Sequence, residues 1–194
     1  MTLAGPPLAR SVPLAALLDA GLAIDRAAPA LVAHGARWSF GDLHAASERL
    51  AANLLGLGLA PGDRVASFLP NSPELFIHYL ACLKAGLVAT PLNYRYAAPE
   101  IDHALDTAGA AVLIAATERR DELAPSAGVA RLPRGVIWHG DGDDSANLRA
   151  LIDRAASCPL PAPPPDAPAF IFFTSGSTGM PKGVTHTHAS FGWM

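Results

Sequence analysis

Short uninterrupted apolar runs alternate along this chain with segments whose apolar residues recur at helical spacing. The runs Val65–Leu69, Leu87–Leu92 and Ala111–Ala115 predict strands, with a helical pattern between each pair. A strand that is apolar at every position is buried on both faces, and the helices between such strands act as crossovers of a parallel sheet. The sequence therefore predicts an α/β fold, a mostly parallel sheet with helices on both faces.

Capping signals mark where the helices begin. Ser39 precedes a pattern of apolar residues at helical spacing, and Asp42 lies three residues after Ser39. Together they predict a helix start. Ser72 before Pro73 and Glu74 predicts another. Further elements are predicted as helices at Pro99–Thr107 and Ser145–Ala156, strands at Val136–Trp138 and Phe170–Phe173, and an irregular connection at 117–135.

Composition excludes several functional classes. The chain has 17 acidic and 14 basic side chains and no basic patch, so we expect no nucleic-acid partner. No apolar run approaches the roughly 20 residues that span a bilayer, and the N-terminal segment lacks the basic start of a secretory signal. Cys82 and Cys158 have neither disulfide nor metal spacing, which predicts reduced thiols in a cytoplasmic protein.

A proline-rich segment divides the chain. Six prolines between residues 159 and 168 predict a stiff connector, because proline fixes its own backbone angle and lacks an N–H donor. We expect an N-terminal α/β subdomain over 1–168, and over 169–194 a strand, a loop and the start of a second, truncated subdomain. Since domains rarely end at the start of a helix, we expect a piece of a longer protein that is prone to self-association.

A segment rich in glycine and hydroxyl groups follows the last predicted strand. It runs from Thr174 to Gly183, and a helix is predicted after it. Its glycines let backbone N–H groups approach an anion, and its hydroxyls and lysine add further donors, although a flexible linker has a similar composition. We predict that this loop binds a polyphosphate through Thr174, Ser175, Gly176, Ser177, Thr178, Gly179 and Lys182.

Three familiar glycine-rich motifs do not fit this loop. Walker loops have glycine before the lysine and a hydroxyl residue after it, whereas Pro181 and Gly183 flank Lys182. The loop also lacks the spacing of the dinucleotide fingerprint, and Ser175 stands where the hydrolase nucleophile elbow needs glycine.

The segment closely resembles the phosphate-binding signature of the adenylate-forming (AMP-binding) superfamily. Further landmarks in matching order are Trp38–Leu43, Gly58–Val65, Asn71–Glu74, Leu83–Gly86 followed by Pro91–Asn93, and Val184–His188. The resemblance covers nearly the whole chain and implies the N-terminal part of the large domain of such an enzyme. Pro91–Arg95 is similar to the version typical of acyl-CoA synthetases.

The resemblance implies an acyl-CoA ligase of fatty acid metabolism. It would form an acyl-adenylate and pyrophosphate from a carboxylic acid and ATP, with Mg²⁺, and then a thioester with coenzyme A. An adenylation domain for an amino or aryl acid, or a non-catalytic nucleotide-binding or structural fragment, are the alternatives. The family's magnesium, adenine and ribose residues and its catalytic lysine lie downstream of such a segment, so we assign no catalytic residue and expect the chain alone to be inactive.

His186 and His188 could suggest a metal site. A His-x-His pair without a third ligand nearby in sequence is more often part of ordinary packing, so we predict no metal ligands in this chain.

Overall fold

The computed structural model describes residues 13–33, 35–141, 147–174 and 179–191. After a 3-10 turn at Leu14–Ala16, its helices are α1 (Asp19–Ile24), α2 (Phe40–Gly56), α3 (Pro73–Ala85), α4 (Ala98–Ala108), α5 (Arg120–Leu123), α6 (Ala127–Ala130), α7 (Leu148–Asp153) and α8 (His188–Phe191). Its strands are β1 (Pro29–Ala33), β2 (Ala36–Ser39), β3 (Arg64–Phe68), β4 (Val88–Pro91), β5 (Ala110–Ala116), β6 (Val136–His139), β7 (Pro168–Thr174) and β8 (Lys182–Thr187).

The strands form two sheets. The small sheet is the antiparallel pair β1–β2, which the sequence analysis did not predict. The large sheet has the order β6-β5-β3-β4-β7-β8, and every neighbouring pair in it is parallel except β7–β8. The predicted α/β architecture with a mostly parallel sheet is therefore confirmed.

Apolar side chains cover both faces of the large sheet. Along β3 and β5, alternate residues such as Val65 and Ile114 join one cluster, which includes residues of α2, α3 and α7. Their neighbours Ala66 and Leu113 join a second cluster with residues of α4. Because side chains alternate across a strand, the uninterrupted apolar runs supply both clusters at once. No helix of the described segments is long and apolar enough to cross a membrane.

The helix starts predicted from capping residues are present. The side chain of Ser39 accepts a hydrogen bond from the Asp42 backbone, and the Asp42 carboxylate accepts one from the Ser39 N–H, which completes a capping box. Ser72 caps α3 through the Leu75 N–H, with Pro73 in the first turn. Both predicted helix starts are therefore confirmed. They could be predicted because a cap depends only on residues that are close together in sequence.

Three predictions about local structure were wrong or incomplete. A strand, β8, follows the glycine-rich loop instead of the predicted helix, and a helix begins only at His188. The region 117–135 holds a 3-10 turn and two short helices rather than only irregular chain. The helix predicted over Ser145–Ala156 spans Leu148–Asp153 and is capped by Asn147, while the predicted cap Ser145 lies outside the described residues.

The proline-rich connector leads into β7, which joins the large sheet next to β4. The recorded pairing between these two strands is Ala89 with Phe170. The division of the chain at residue 168 stays a prediction.

Candidate phosphate-binding site

The two described ends of the glycine-rich loop are held together as the base of a β-hairpin. Thr174, the last residue of β7, pairs with Lys182, the first residue of β8. Residues directly opposite in an antiparallel pair lie on the same face with Cβ atoms about 5 Å apart, so the hydroxyl and the ammonium group share one face. Both residues are exposed to solvent. The predicted loop is therefore closed by a neutral donor beside a cation.

Two glycines near Lys182 differ in how strongly their surroundings favour glycine. Gly179 has a φ of 90°, a left-handed conformation that side chains other than glycine's rarely adopt. Gly183 lies opposite Phe173 in the hairpin, and a Cβ there would stand 3.2 Å from Ile171 and 3.4 Å from the Phe173 ring. A side chain at Gly183 would therefore need the Ile171 methyl group to shift by a few tenths of an ångström.

Aromatic residues fix the strand that leads into the loop. Phe170 and Phe172 are stacked with ring centroids 5.1 Å apart, and Tyr79 of α3 meets Phe170 edge-on at 5.6 Å. Phe173 packs against the other core cluster. Because its aromatic side chains pack on both faces of the sheet, β7 holds the hairpin base in a defined place.

A contact from α4 reaches the loop directly. The Nε2 atom of His103 lies 2.9 Å from the carbonyl oxygen of Pro181, the residue before Lys182. A carbonyl only accepts hydrogen bonds, so Nε2 carries the proton and donates it. No local pattern in the sequence predicts this role for His103, because it lies 78 residues from Pro181 and no motif links the two.

Helix α4 is itself tied to the short helix α6 through Asp102. Its carboxylate accepts hydrogen bonds from the Ser126 hydroxyl and, at 2.8 Å, from the Gly128 N–H. Burial raises the pKa of Asp102, but hydrogen bonds from Ser126, Gly128 and Ala127 and the charge of Arg131 together outweigh it, so the pKa lies below its usual value. A second link joins Asp106 to Arg131 at 2.9 Å on the surface.

Of the seven predicted site residues, the structure describes three. Thr174, Gly179 and Lys182 lie at the ends of the loop as given above. Ser175, Gly176, Ser177 and Thr178 lie outside the described residues, so their part in binding stays a prediction.

The chain's other lysine, Lys84, is buried and contacts a neighbouring helix. Lys84 is 8% exposed, and its Nζ lies 3.1 Å from Nδ1 of His44 and donates to the His44 carbonyl at 3.2 Å. Burial lowers the pKa of Lys84. Of the two lysines, Lys182 is the one that lies at the candidate site, where it is exposed.

A separate cavity opens at the carboxyl ends of β3 and β4. It measures about 460 Å³, and its polar lining includes Ser67, Asn71, Tyr79, Asn93 and Tyr94. Burial raises the pKa of Tyr79 to about 12, so this phenol is neutral near pH 7. None of the described residues that line the cavity is charged.

Several histidine and cysteine side chains outside the candidate site pack against neighbouring side chains. His78 and Cys82 are fully buried in contact, with Sγ 3.5 Å from Nδ1. Burial lowers the pKa of His78 to about 3 and raises that of the Cys82 thiol. His186 meets the Phe172 ring edge-on, and the described residues contain no group of three or more His, Cys, Asp or Glu side chains that could hold a metal ion.

Comparison with known proteins adds a family and several relatives. The sequence profile of the family described as AMP-binding enzyme matches residues 22–194. A feruloyl-CoA synthase of an Amycolatopsis species is 36% identical over 161 residues, which are 82% of this chain and 30% of that protein. A long-chain-fatty-acid–CoA ligase of Mycobacterium tuberculosis is 39% identical over 160 residues, which are 79% of this chain and 30% of that protein.

Solved structures share the fold. The crystal structure of ATP-bound MatB from Rhodopseudomonas palustris superposes with a TM-score of 0.77 at 31% identity, over 91% of this chain and 35% of that one. The chain thus spans about 30% of the length of the curated relatives named above.

Proposed function

This chain belongs to the AMP-binding enzyme family, and on that premise we propose that it forms the phosphate-binding part of an ATP-dependent carboxylate–CoA ligase. In this reaction a carboxylate oxygen attacks the α-phosphorus of ATP and pyrophosphate leaves, giving an acyl-adenylate. The thiol of coenzyme A then attacks the acyl carbon and AMP leaves. The relatives named as CoA ligases and the acyl-CoA-synthetase-like residues Pro91–Arg95 support this acceptor.

The pairing of Thr174 with Lys182 is the observation that carries the proposal. The ammonium of Lys182 would contact the β- and γ-phosphates, and the Thr174 hydroxyl on the same face would donate a second hydrogen bond. Negative charge accumulates on pyrophosphate as it leaves, so a fixed cation there stabilises the transition state. The hairpin base would supply this cation, because the pairing with Thr174 fixes the backbone of Lys182.

Magnesium would accompany ATP, and it prefers oxygen ligands. Among the predicted loop residues that the structure describes, Thr174 alone offers a side-chain oxygen. These residues do not make a magnesium site by themselves, and we assign no step to the ion.

With its thiols reduced, the protein would act in the cytoplasm.

The test is the binding of ATP to the 194-residue chain, measured by calorimetry at low and at high salt. Lys182→Ala removes a charge-assisted contact and is expected to weaken binding about tenfold or more, since such contacts contribute about 1.5–3 kcal/mol. Added salt should weaken binding to the wild-type chain.

Arg37→Ala is the matched control. It removes the same charge from an exposed position on the separate β1–β2 sheet. Equal weakening by both substitutions, wild-type affinity in Lys182→Ala, or an absence of ATP binding by the wild-type chain at low salt would each overturn the proposal.

A further inference from the structure

The lysine of the candidate site has an exposed side chain, and the described contacts that hold this residue in place act through its backbone. On one side, the pairing of Lys182 with Thr174 fixes it across the hairpin. On the other side, its neighbour Pro181 is buried. Proline has no N–H, so its carbonyl is the one backbone polar group through which this residue can be fixed.

His103 occupies that carbonyl. Its Nε2–H donates to the Pro181 oxygen at 2.9 Å, and the Thr107 hydroxyl lies 3.5 Å from the same nitrogen, at the outer limit of a hydrogen bond. A buried carbonyl that loses its donor favours conformations in which water reaches it. Without His103, the chain at Pro181 would therefore open toward solvent and take Lys182 with it.

The helix that carries His103 is itself restrained. Ile101, Ala104 and Leu105 of α4 are buried in the second core cluster, and Asp102 is bonded to Ser126 and Gly128 on α6. A side chain on such a helix can hold a loop in place, whereas one on a mobile segment cannot.

We propose that His103 is a positioning residue for the phosphate loop, setting the place of Lys182 through the Pro181 carbonyl. The inference rests on the proposed function and adds to it a residue from a different part of the chain. His103 itself does not touch the phosphates. Its contribution is to reduce the number of conformations that Lys182 must give up when a polyphosphate binds.

Three variants test the inference. His103→Phe keeps a planar ring but lacks a donor, and His103→Gln keeps an N–H donor of similar reach. Thr107→Val, the matched control, removes only the longer contact one turn away. Two quantities are measured on each 194-residue chain: ATP affinity, and hydrogen exchange of the amides at Gly179, Met180, Lys182 and Gly183 without ligand.

His103→Phe is expected to weaken ATP binding about fivefold and to speed amide exchange near Lys182 by a similar factor, as for the loss of one hydrogen bond. His103→Gln and Thr107→Val should stay within about twofold of the wild type, for the same reason. Unchanged exchange in His103→Phe, faster exchange without weaker ATP binding, or equal effects of Phe and Gln would each overturn the inference.

Failure of the proposed function is recognised separately. It appears as absent ATP binding in the wild-type chain, before any substitution is made, and it overturns the inference as well. Normal wild-type binding that His103→Phe leaves unchanged overturns the inference alone.

Discussion

Removing the carboxylate of Asp102 should loosen the packing of α4 on α6 and lower the free energy of unfolding. In Asp102→Ala, the Ser126 hydroxyl and the Gly128 N–H both lose their acceptor. Ser126 is only 2% exposed, so water replaces that acceptor poorly. The variant therefore leaves an unpaired donor inside the protein rather than at its surface.

The magnitude follows from these two bonds. Hydrogen bonds to a charged acceptor contribute about 1.5 kcal/mol each at the lower end of their range, which suits a carboxylate close to solvent. Alanine in place of aspartate in a helix returns about 0.5 kcal/mol. The net loss is about 2.5 kcal/mol, which at a urea slope of about 2 kcal/mol/M lowers the unfolding midpoint by about 1.2 M.

Asp106→Ala is the matched control in the same helix. Its partner Arg131 is exposed, and surface ion pairs contribute about 0 to 1 kcal/mol, so the gain in helix propensity nearly cancels the loss. Urea unfolding followed by circular dichroism measures both variants. Equal midpoints for the two variants would refute the reasoning, because the buried donors would then have made no difference.

The same pair of proteins gives a dependence on pH. The pKa of Asp102 is lower in the folded chain than in the unfolded chain, so its stabilising effect is complete above the unfolded pKa, which is about 4. It is lost as the pH falls through the lower, folded pKa. The gap between wild type and Asp102→Ala should therefore be constant from neutral pH to about pH 5 and shrink below about pH 4. A gap that grows on acidification would contradict the stated direction of the pKa.

Two further predictions concern the chain as a whole. The 194 residues alone should give no carboxylate-dependent exchange of labelled pyrophosphate into ATP, because no described residue at the site would fix the attacking carboxylate. Exchange above a no-acid control would overturn this prediction. The chain should also self-associate through β8, which has one strand neighbour among the described residues and exposes Val184. Val184→Lys should therefore reduce light scattering at high concentration. Equal scattering by the wild type and the variant would contradict this prediction.

The features that could be predicted from sequence depend on neighbouring residues. The capping box of Ser39 and Asp42 needs residues three apart, and the buried strands need only continuous apolar runs. Strand β8 escaped prediction because its exposed residues carry no apolar pattern, and pairing with β7 decides its conformation. The contact of His103 with Pro181 joins distant parts of the chain, so no local pattern announces it.

The candidate site divides in the same way. Residue types alone indicated Thr174 and Lys182, and the structure adds that they face one another across the hairpin. For Ser175–Thr178 the prediction still rests on the sequence, because these residues lie outside the described part of the chain.

The attachment of β7 to β4 has a consequence for the order in which the molecule assembles. Strands β3, β4 and β5 follow one another closely and meet at the centre of the sheet, whereas Ala89 and Phe170 lie far apart in sequence. Closing a long loop costs more chain entropy than closing a short one, so distant pairings form late. We therefore expect the central strands to pair first and the hairpin to dock last. A newly made chain would therefore complete the candidate phosphate site only at the final step of folding, and local unfolding would disrupt that site first.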